Sequence, residues 1–254
     1  MVDKRQLGLQ LYTVRSLTAS DMLGTLRRVA ELGFGAVEFA GFGDTPVHTL
    51  RETLDELGLR ALGAHVQYGT FVNGVESVCE DLRVLGCEYA VVPSIPQAIR
   101  ADPRTARDLP SQLEAWGTVC RQASLRFAYH NHAFEFAELD NAAGTLFDAL
   151  LRTDPALVEL ELDVFWAEYA GRDALGLIRK HGDRIALLHV KDIAADQDPQ
   201  DVPVGRGSLD WGAILAGGEA ADVRWFVVEQ DNPRDPLDDI TQSLRYLERY
   251  TTPA

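Results

Sequence analysis

The chain has 254 residues, 46% apolar and 25% charged, and its 39 acidic against 24 basic side chains give a formal charge of −15. A chain this long buries roughly three-quarters of its unfolded surface, enough for a self-sufficient core in one large domain or two small ones. The acidic excess excludes a binder of nucleic-acid backbones and disfavours an anionic membrane surface, both of which need a basic footprint.

No apolar run approaches the roughly 20 residues that cross a bilayer. The first residues, MVDKRQLGLQLYTVR, lack the apolar stretch and small-residue cleavage site of a signal peptide. The expectation is therefore a soluble, cytoplasmic protein. Cys79, Cys87 and Cys120 are odd in number and lack CxxC spacing. They read as small buried hydrophobes in a reducing compartment.

Along the chain a pattern recurs: an amphipathic stretch, a glycine, then a short apolar run that ends in polar residues. It appears as RRVAELG before AVEFA, RETLDELG before LRALGAHV, CEDLRVLG before YAVVPS, and LGLIRKHG before IALLHVKD. Glycine after an amphipathic run signals a helix C-terminus, because it accepts a left-handed backbone. The apolar runs suit strands buried on both faces. Strands are predicted near 7–13, 36–40, 59–66, 89–94, 125–131, 158–164, 185–191 and 225–230. Between them, apolar residues at helical spacing mark helix faces: Leu50, Leu54 and Leu57; Val75, Val78, Leu82 and Leu85; and Leu237, Ile240, Leu244 and Leu247. Ser20-Asp21 and the stretch at Pro236 mark helix starts. Eight β/α units in strict alternation predict an α/β fold, a single closed (β/α)8 TIM barrel, with residues 1–254 as one domain. A doubly wound open sheet would carry a Gly-rich phosphate turn after its first strand, and none is present. The stretches 132–143 and 193–208 read as long loops at the C-terminal ends of strands five and seven, the face on which this fold builds active sites.

Polar residues collect at those same strand ends: Gln10 and Tyr12, Glu38, His65, His130 to Glu135, Asp163, His189 to Asp192, and Glu229 to Asp231. In a barrel these positions converge on one mouth. Mixed Glu, Asp and His donors suit one divalent ion, Mn, Mg, Co or Zn. Glu229 in WFVVEQ and Asp163 in ELELDVFW stand among apolar neighbours, where a lone carboxylate is costly and coordination removes the cost. The alternatives are an ion pair for Glu229, a helix cap for Asp163 and a hydrogen-bonded core position for His189. In YHNHAFEF, His130, His132 and Glu135 cannot all bind one ion; one serves as ligand and the others as supporting or substrate groups.

The motifs QLYTVR, YHNHAFEF, ELDVFW, HVKD and VEQD, in order at successive strand ends, resemble the sugar phosphate isomerase/epimerase family with the xylose isomerase-like barrel. The resemblance spans nearly the whole chain. It implies a metal centre of Glu135, Asp163, His189 and Glu229. In many relatives the first glutamate stands at the end of strand five, where this chain has His130. The sequence thus resembles the branch of inosose dehydratases and keto-sugar-processing enzymes, with His130 or His132 as alternative ligands.

The chemistry implied is proton abstraction beside a carbonyl through a cation-stabilised enediolate, on a keto-sugar or sugar phosphate. Return of the proton gives isomerisation or epimerisation. Loss of a β-hydroxyl instead gives a dehydratase of an inosose or 3-keto-glycoside. The resemblance makes Glu135 and Glu229 the acid/base pair, with Lys191 as alternative base or enediolate stabiliser. Tyr12, Glu38, His65, His130, His132 and Arg206 are the candidate substrate contacts, Arg206 in VGRGS gripping a hydroxyl or phosphate. A metal-dependent endonuclease on the same barrel would need further ligands and basic loops, which six histidines and a charge of −15 do not supply. A sugar-binding barrel without catalysis would not need all four ligands. The expected partner is a small carbohydrate, with no nucleic acid or membrane; a homo-oligomer is implied by resemblance only.

Overall fold

The computed structural model describes residues 1–100, 102, 104–139, 144–194 and 200–252. Eight parallel strands follow one another around a closed barrel: β1 (Leu7–Gln10), β2 (Ala36–Phe39), β3 (Arg60–His65), β4 (Tyr89–Val92), β5 (Arg126–His130), β6 (Glu159–Asp163), β7 (Ile185–Val190) and β8 (Trp225–Val228). Closure comes from β8 lying beside β1, with Phe226 opposite Leu7 and Val228 opposite Leu9. The expected fold and its eight strands are thus present, although the first strand, expected over 7–13, ends at Gln10 and continues as a 3-10 turn over Leu11–Val14.

The helices around the barrel are α1 (Met22–Leu32), α2 (Val47–Leu57), α3 (Tyr68–Leu85), α4 (Thr105–Gln122), α5 (Leu146–Leu150), α6 (Val164–Tyr169), α7 (Ala174–His181), α8 (Trp211–Ala220) and α9 (Pro236–Leu247). Asp21 caps α1 by accepting from the Gly24 N–H, and Asp235 caps α9 with Pro236 in its first turn. Gly33, Gly58 and Gly86 end α1, α2 and α3 in the left-handed conformation that the sequence pattern anticipates. Gly182 differs. Its φ is −58°, and a side chain there would overlap Ala221, so close packing and not backbone handedness is its reason.

Of the two long loops, 140–143 and 195–199 lie outside the described residues. The remainder is ordered around short elements: a 3-10 turn at Phe134–Phe136, and an antiparallel pairing of Asp192–Ile193 with Asp201–Val202.

Strand alternation divides the barrel interior into two layers. Side chains two apart share a face, and inward apolar residues are each followed by a polar one: Ala36 by Glu38, Ala128 by His130, Leu187 by His189, and Val227 by Glu229. The apolar members join Leu62, Tyr89, Val91 and Trp225 in a core inside the barrel. The polar members lie nearer the C-terminal ends of the strands, and all four are buried. The registry slips between Val37 and Glu38 and between Leu160 and Glu161. Such irregularities re-aim side chains next to functional sites, and each here immediately precedes a buried glutamate.

Outside the barrel, Trp116 of α4 stacks on Phe71 of α3 at 5.2 Å and meets Phe127 of β5 edge-on. The helix comes close to the chain here, since a methyl at Gly117 would overlap the Leu157 carbonyl. Gly117→Ala is therefore expected to cost about 1–3 kcal/mol through overpacking. A urea midpoint equal to that of the wild type would contradict this contact.

Candidate active site

A cavity of 460 Å³ opens above the polar layer, lined in part by Tyr12, Arg15, His65, His132, Trp166, Glu229 and Asp231. Beneath it, His130, Asp163, His189 and Glu229, all buried, each offer a ligand atom within 4.8 Å of the others. Adjacent strands supply them: His130 ends β5, Asp163 ends β6, His189 lies in β7, and Glu229 follows β8.

Asp163 divides its two oxygens. Oδ1 caps α6 by accepting from the Trp166 N–H at 2.9 Å, while Oδ2 is buried without a hydrogen-bond partner and faces His130 Nε2 at 3.9 Å and Lys191 Nζ at 3.6 Å. The helix-cap reading and the ligand reading of this residue are thus compatible. Burial pushes its carboxyl up to about 7, against the pull of Lys191. Glu229 Oε2 lies 2.8 Å from His189 Nδ1 and 3.5 Å from Lys191 Nζ. Burial opposes its charge, but Lys191 and His189 outweigh burial and hold Glu229 well below the usual carboxylate range.

A deeper layer supports this one. Glu161, fully buried, turns Oε2 toward His65 Nε2 (2.7 Å), His130 Nδ1 (3.0 Å) and His189 Nε2 (3.2 Å). Burial works against its charge, yet His189 and His65 keep Glu161 well below its ordinary value. Glu38 accepts from Gln10 at 2.8 Å and lies 3.0 Å from His189 Nε2. Burial and the Glu161 charge push Glu38 upward. Between these carboxylates and Glu229, His189 is held well above the ordinary imidazole value even though burial pulls it down.

The sequence-derived candidates are distributed as follows. Asp163, His189 and Glu229 stand together, and His130 completes their group. Glu135 lies elsewhere: it is fully buried behind the β5 end, accepting from Tyr129 Oη at 2.9 Å and from the His132 N–H at 2.7 Å. Its carboxylate therefore anchors the loop that carries His132. Lys191 is buried below the cavity, with Nζ 2.6 Å from Asp231. Tyr12, His65, His130 and His132 line the cavity, whereas Glu38 sits under it. Arg206 is exposed, pairs with Gln242 on α9 at 3.1 Å, and does not line the cavity. The position of Glu161 was not anticipated. Strand alternation would have found it, since Glu161 and Asp163 are two apart and share a face. Trp166, one turn beyond Asp163, was also unassigned as a wall of the cavity.

Several known proteins share this architecture. The family model described as a xylose isomerase-like TIM barrel matches residues 26–250. An inosose dehydratase of Geobacillus kaustophilus (strain HTA426) is 26% identical over 195 residues, covering 67% of this chain. That match spans only 62% of the relative's own length. The crystal structure of a sugar phosphate isomerase/epimerase from Parabacteroides distasonis ATCC 8503 superposes with a TM-score of 0.83 at 23% identity, covering 97% of this chain and 94% of that one. The IolI protein, solved with a bound zinc atom, gives 0.71 at 14% identity and covers 96% and 97%.

Burial pushes the Glu135 carboxyl from 4.5 up to about 8. Across that interval the folded protein keeps a proton that the unfolded chain has released, so this group's contribution to stability falls as pH rises. Glu135→Gln removes the titration. Relative to the variant, the wild type should lose on the order of 1–3 kcal/mol between about pH 5 and about pH 8. Parallel urea-stability profiles for the two proteins would show that Glu135 ionises normally.

Proposed function

Because the chain belongs to the xylose isomerase-like TIM barrel family, we propose that it is a divalent-cation-dependent enzyme acting on a polyhydroxylated ketone, either a keto-sugar or a sugar phosphate. It removes a proton beside the carbonyl and returns it elsewhere, as an isomerase or epimerase. The observation that carries this reading is the buried group of His130, Asp163, His189 and Glu229 at the floor of the cavity.

The donors fit such an ion. Two imidazoles and two carboxylates form a mixed set suited to Mn, Mg, Co or Zn, and the buried Oδ2 of Asp163 supplies an acceptor to which no protein group donates a hydrogen bond. His130, Asp163, His189 and Glu229 would hold the ion, which when bound polarises the ketone and favours negative charge on its oxygen. Glu161 and Glu38 act on the histidines. By taking His130 Nδ1 and His189 Nε2, they leave His130 Nε2 and His189 Nδ1 facing Asp163 and Glu229. Outer carboxylates of this kind set the tautomer and orientation of ligating imidazoles.

Proton transfer falls to groups that reach the cavity. Glu229 lines it and is kept ionised, so it is the carboxylate placed to take the α-proton. Lys191, held charged by Glu229, Asp163 and Asp231 despite its burial, stabilises negative charge on the floor. His132 stands in the wall with its buried Nδ1 unpartnered, and burial lowers it to about 4, so it stays a neutral imidazole there. Glu135 holds the His132 backbone in place and acts through that loop.

A second reading, loss of water from an inosose-like ketone, draws on the relatives named inosose dehydratase. Both outcomes share the first proton abstraction. They separate at the fate of the neighbouring hydroxyl.

The protein purified with Mn should carry one ion per chain and exchange the α-proton of a panel of ketoses, inososes and 3-keto-glycosides with solvent deuterium. Absence of both metal and exchange would remove the enzymatic reading. Glu229→Gln should lower exchange by about 10²–10⁴-fold with the fold intact, and unaltered exchange would take Glu229 out of the reaction. Glu161→Leu should weaken Mn binding by about 10–100-fold in calorimetry. Wild-type affinity in that variant would deny Glu161 its orienting role.

A further inference from the structure

Two classes of substrate, phosphorylated and neutral, are left open by the reading above, and the charges around the mouth distinguish them. Barrels of this kind commonly hold a phosphate on backbone N–H groups of the loops after the seventh and eighth strands, beside a helix N-terminus. In this chain those donors are taken by its own carboxylates. Asp192, fully buried just beyond β7, accepts through Oδ2 from the N–H groups of Gly205 (2.8 Å) and Gly207 (3.1 Å). Its Oδ1 accepts from Ile193 (2.9 Å) and Leu209 (3.3 Å). After β8, Asp201 takes the N–H groups of Asp231 and Asn232. The first turns of α8 and α9 are capped by Asp210 and Asp235.

Basic side chains do not make up for this. Among the described residues Arg15 is the one Lys or Arg lining the cavity. Its guanidinium already donates to the carbonyls of Tyr12 (2.9 Å) and Asp231 (2.7 Å) and lies over the Tyr12 ring. Arg206 sits on Gln242, away from the cavity. Residues 101, 103, 140–143, 195–199 and 253–254 include no Lys, Arg or His, and three of them are aspartates. The same lining presents Glu229 and Asp231, so an entering phosphate would meet like charge with no unengaged Lys or Arg to offset it, leaving the proposed ion at the floor as its one attraction. Neutral polar side chains, in contrast, line the same cavity: Tyr12, Gln67, Ser94 and Asn232, all of which can exchange hydrogen bonds with hydroxyl groups.

We infer that this mouth takes an uncharged polyhydroxy ketone and rejects phosphate esters, because Asp192 and Asp201 occupy the backbone donors that a phosphate would use. The inference rests on the proposed keto-sugar chemistry. Two measurements on the wild-type protein, the first loaded with Mn and the second with diamagnetic Mg, test them separately. In the first, α-proton exchange is compared for matched pairs, a ketose and its terminal phosphate ester among them. In the second, inorganic phosphate is titrated to millimolar concentration while the backbone amide signals of Gly205, Gly207 and Asn232 are followed by NMR.

The expected result is exchange with the neutral member of a pair, kcat/KM lower by at least about tenfold for its phosphate, and unmoved amides. Preference for the phosphate ester, or saturable shifts at those amides, would overturn the inference. If neither member of any pair exchanges, the proposed chemistry fails, and the phosphate titration alone then decides the present point: saturable shifts refute it and still amides sustain it. Asp192→Ala, if it folds, should gain phosphate-dependent shifts at Gly205 and Gly207. Their absence in a folded variant would show that Asp192 does not occupy an anion cradle.

Discussion

Four carboxylates, those of Glu38, Glu161, Asp163 and Glu229, meet below the mouth of the barrel with almost no access to water. Isolated there, each charge would be costly by several kcal/mol. Every neighbouring feature answers that constraint. His65, His130 and His189 converge on Glu161, and Lys191 is drawn in beside Asp163, Glu229 and Asp231. Burial also raises Glu38 and Asp163, which works against their charged forms. A cation held by the upper set would meet the same need more directly, and in the proposed function the electrostatic demand of the fold and the chemistry of the site coincide.

This arrangement depends on the layering of the barrel. The apolar layer of Leu62, Tyr89, Val91, Leu187, Trp225 and Val227 plugs the interior from the N-terminal side. It thereby holds the strand ends in fixed relative positions. The polar layer follows two residues later on several strands, because consecutive inward positions alternate with outward ones. The irregularities before Glu38 and Glu161 bring these two residues into a layer shared with His65 and His189. Above, the hydrogen bond from Tyr129 and the His132 N–H to Glu135 seats the loop that carries one wall of the cavity.

Much of the site was legible before any coordinates. Asp163, His189 and Glu229 each interrupt an apolar run at its C-terminal end, and repeated strand ends in a barrel must face one mouth. Which strand-five residue would join them was ambiguous in the sequence because His130, His132 and Glu135 crowd one segment. Side-chain direction separates them: His130 ends the strand and points inward, while Glu135 turns back onto Tyr129 in a 3-10 turn. Glu161 and Glu38 stayed hidden or underrated because a strand carboxylate among apolar residues gives no sign of which partners will surround it. Arg206 looked like an anion-gripping residue between two glycines. In the folded chain Gly205 takes a left-handed φ of +86°, side chains at Gly205 and Gly207 would overlap Tyr246 and Asp192, their N–H groups wrap Asp192, and the arginine turns outward to α9.

The sequence by itself determined the eight strands, the closed parallel barrel and the face on which polar residues collect. Those properties follow from local periodicity and from alternation along each strand, which neighbours in the chain already specify. Only the tertiary structure decided which donors stand together, that His130 and not Glu135 completes the group with Asp163, His189 and Glu229, and that Asp192 accepts from the N–H groups of Gly205 and Gly207 beyond β7. These outcomes turn on distances of about a hydrogen bond between residues far apart in the chain. Such distances are set by how the barrel closes and where its strands slip in register, and no local pattern records them.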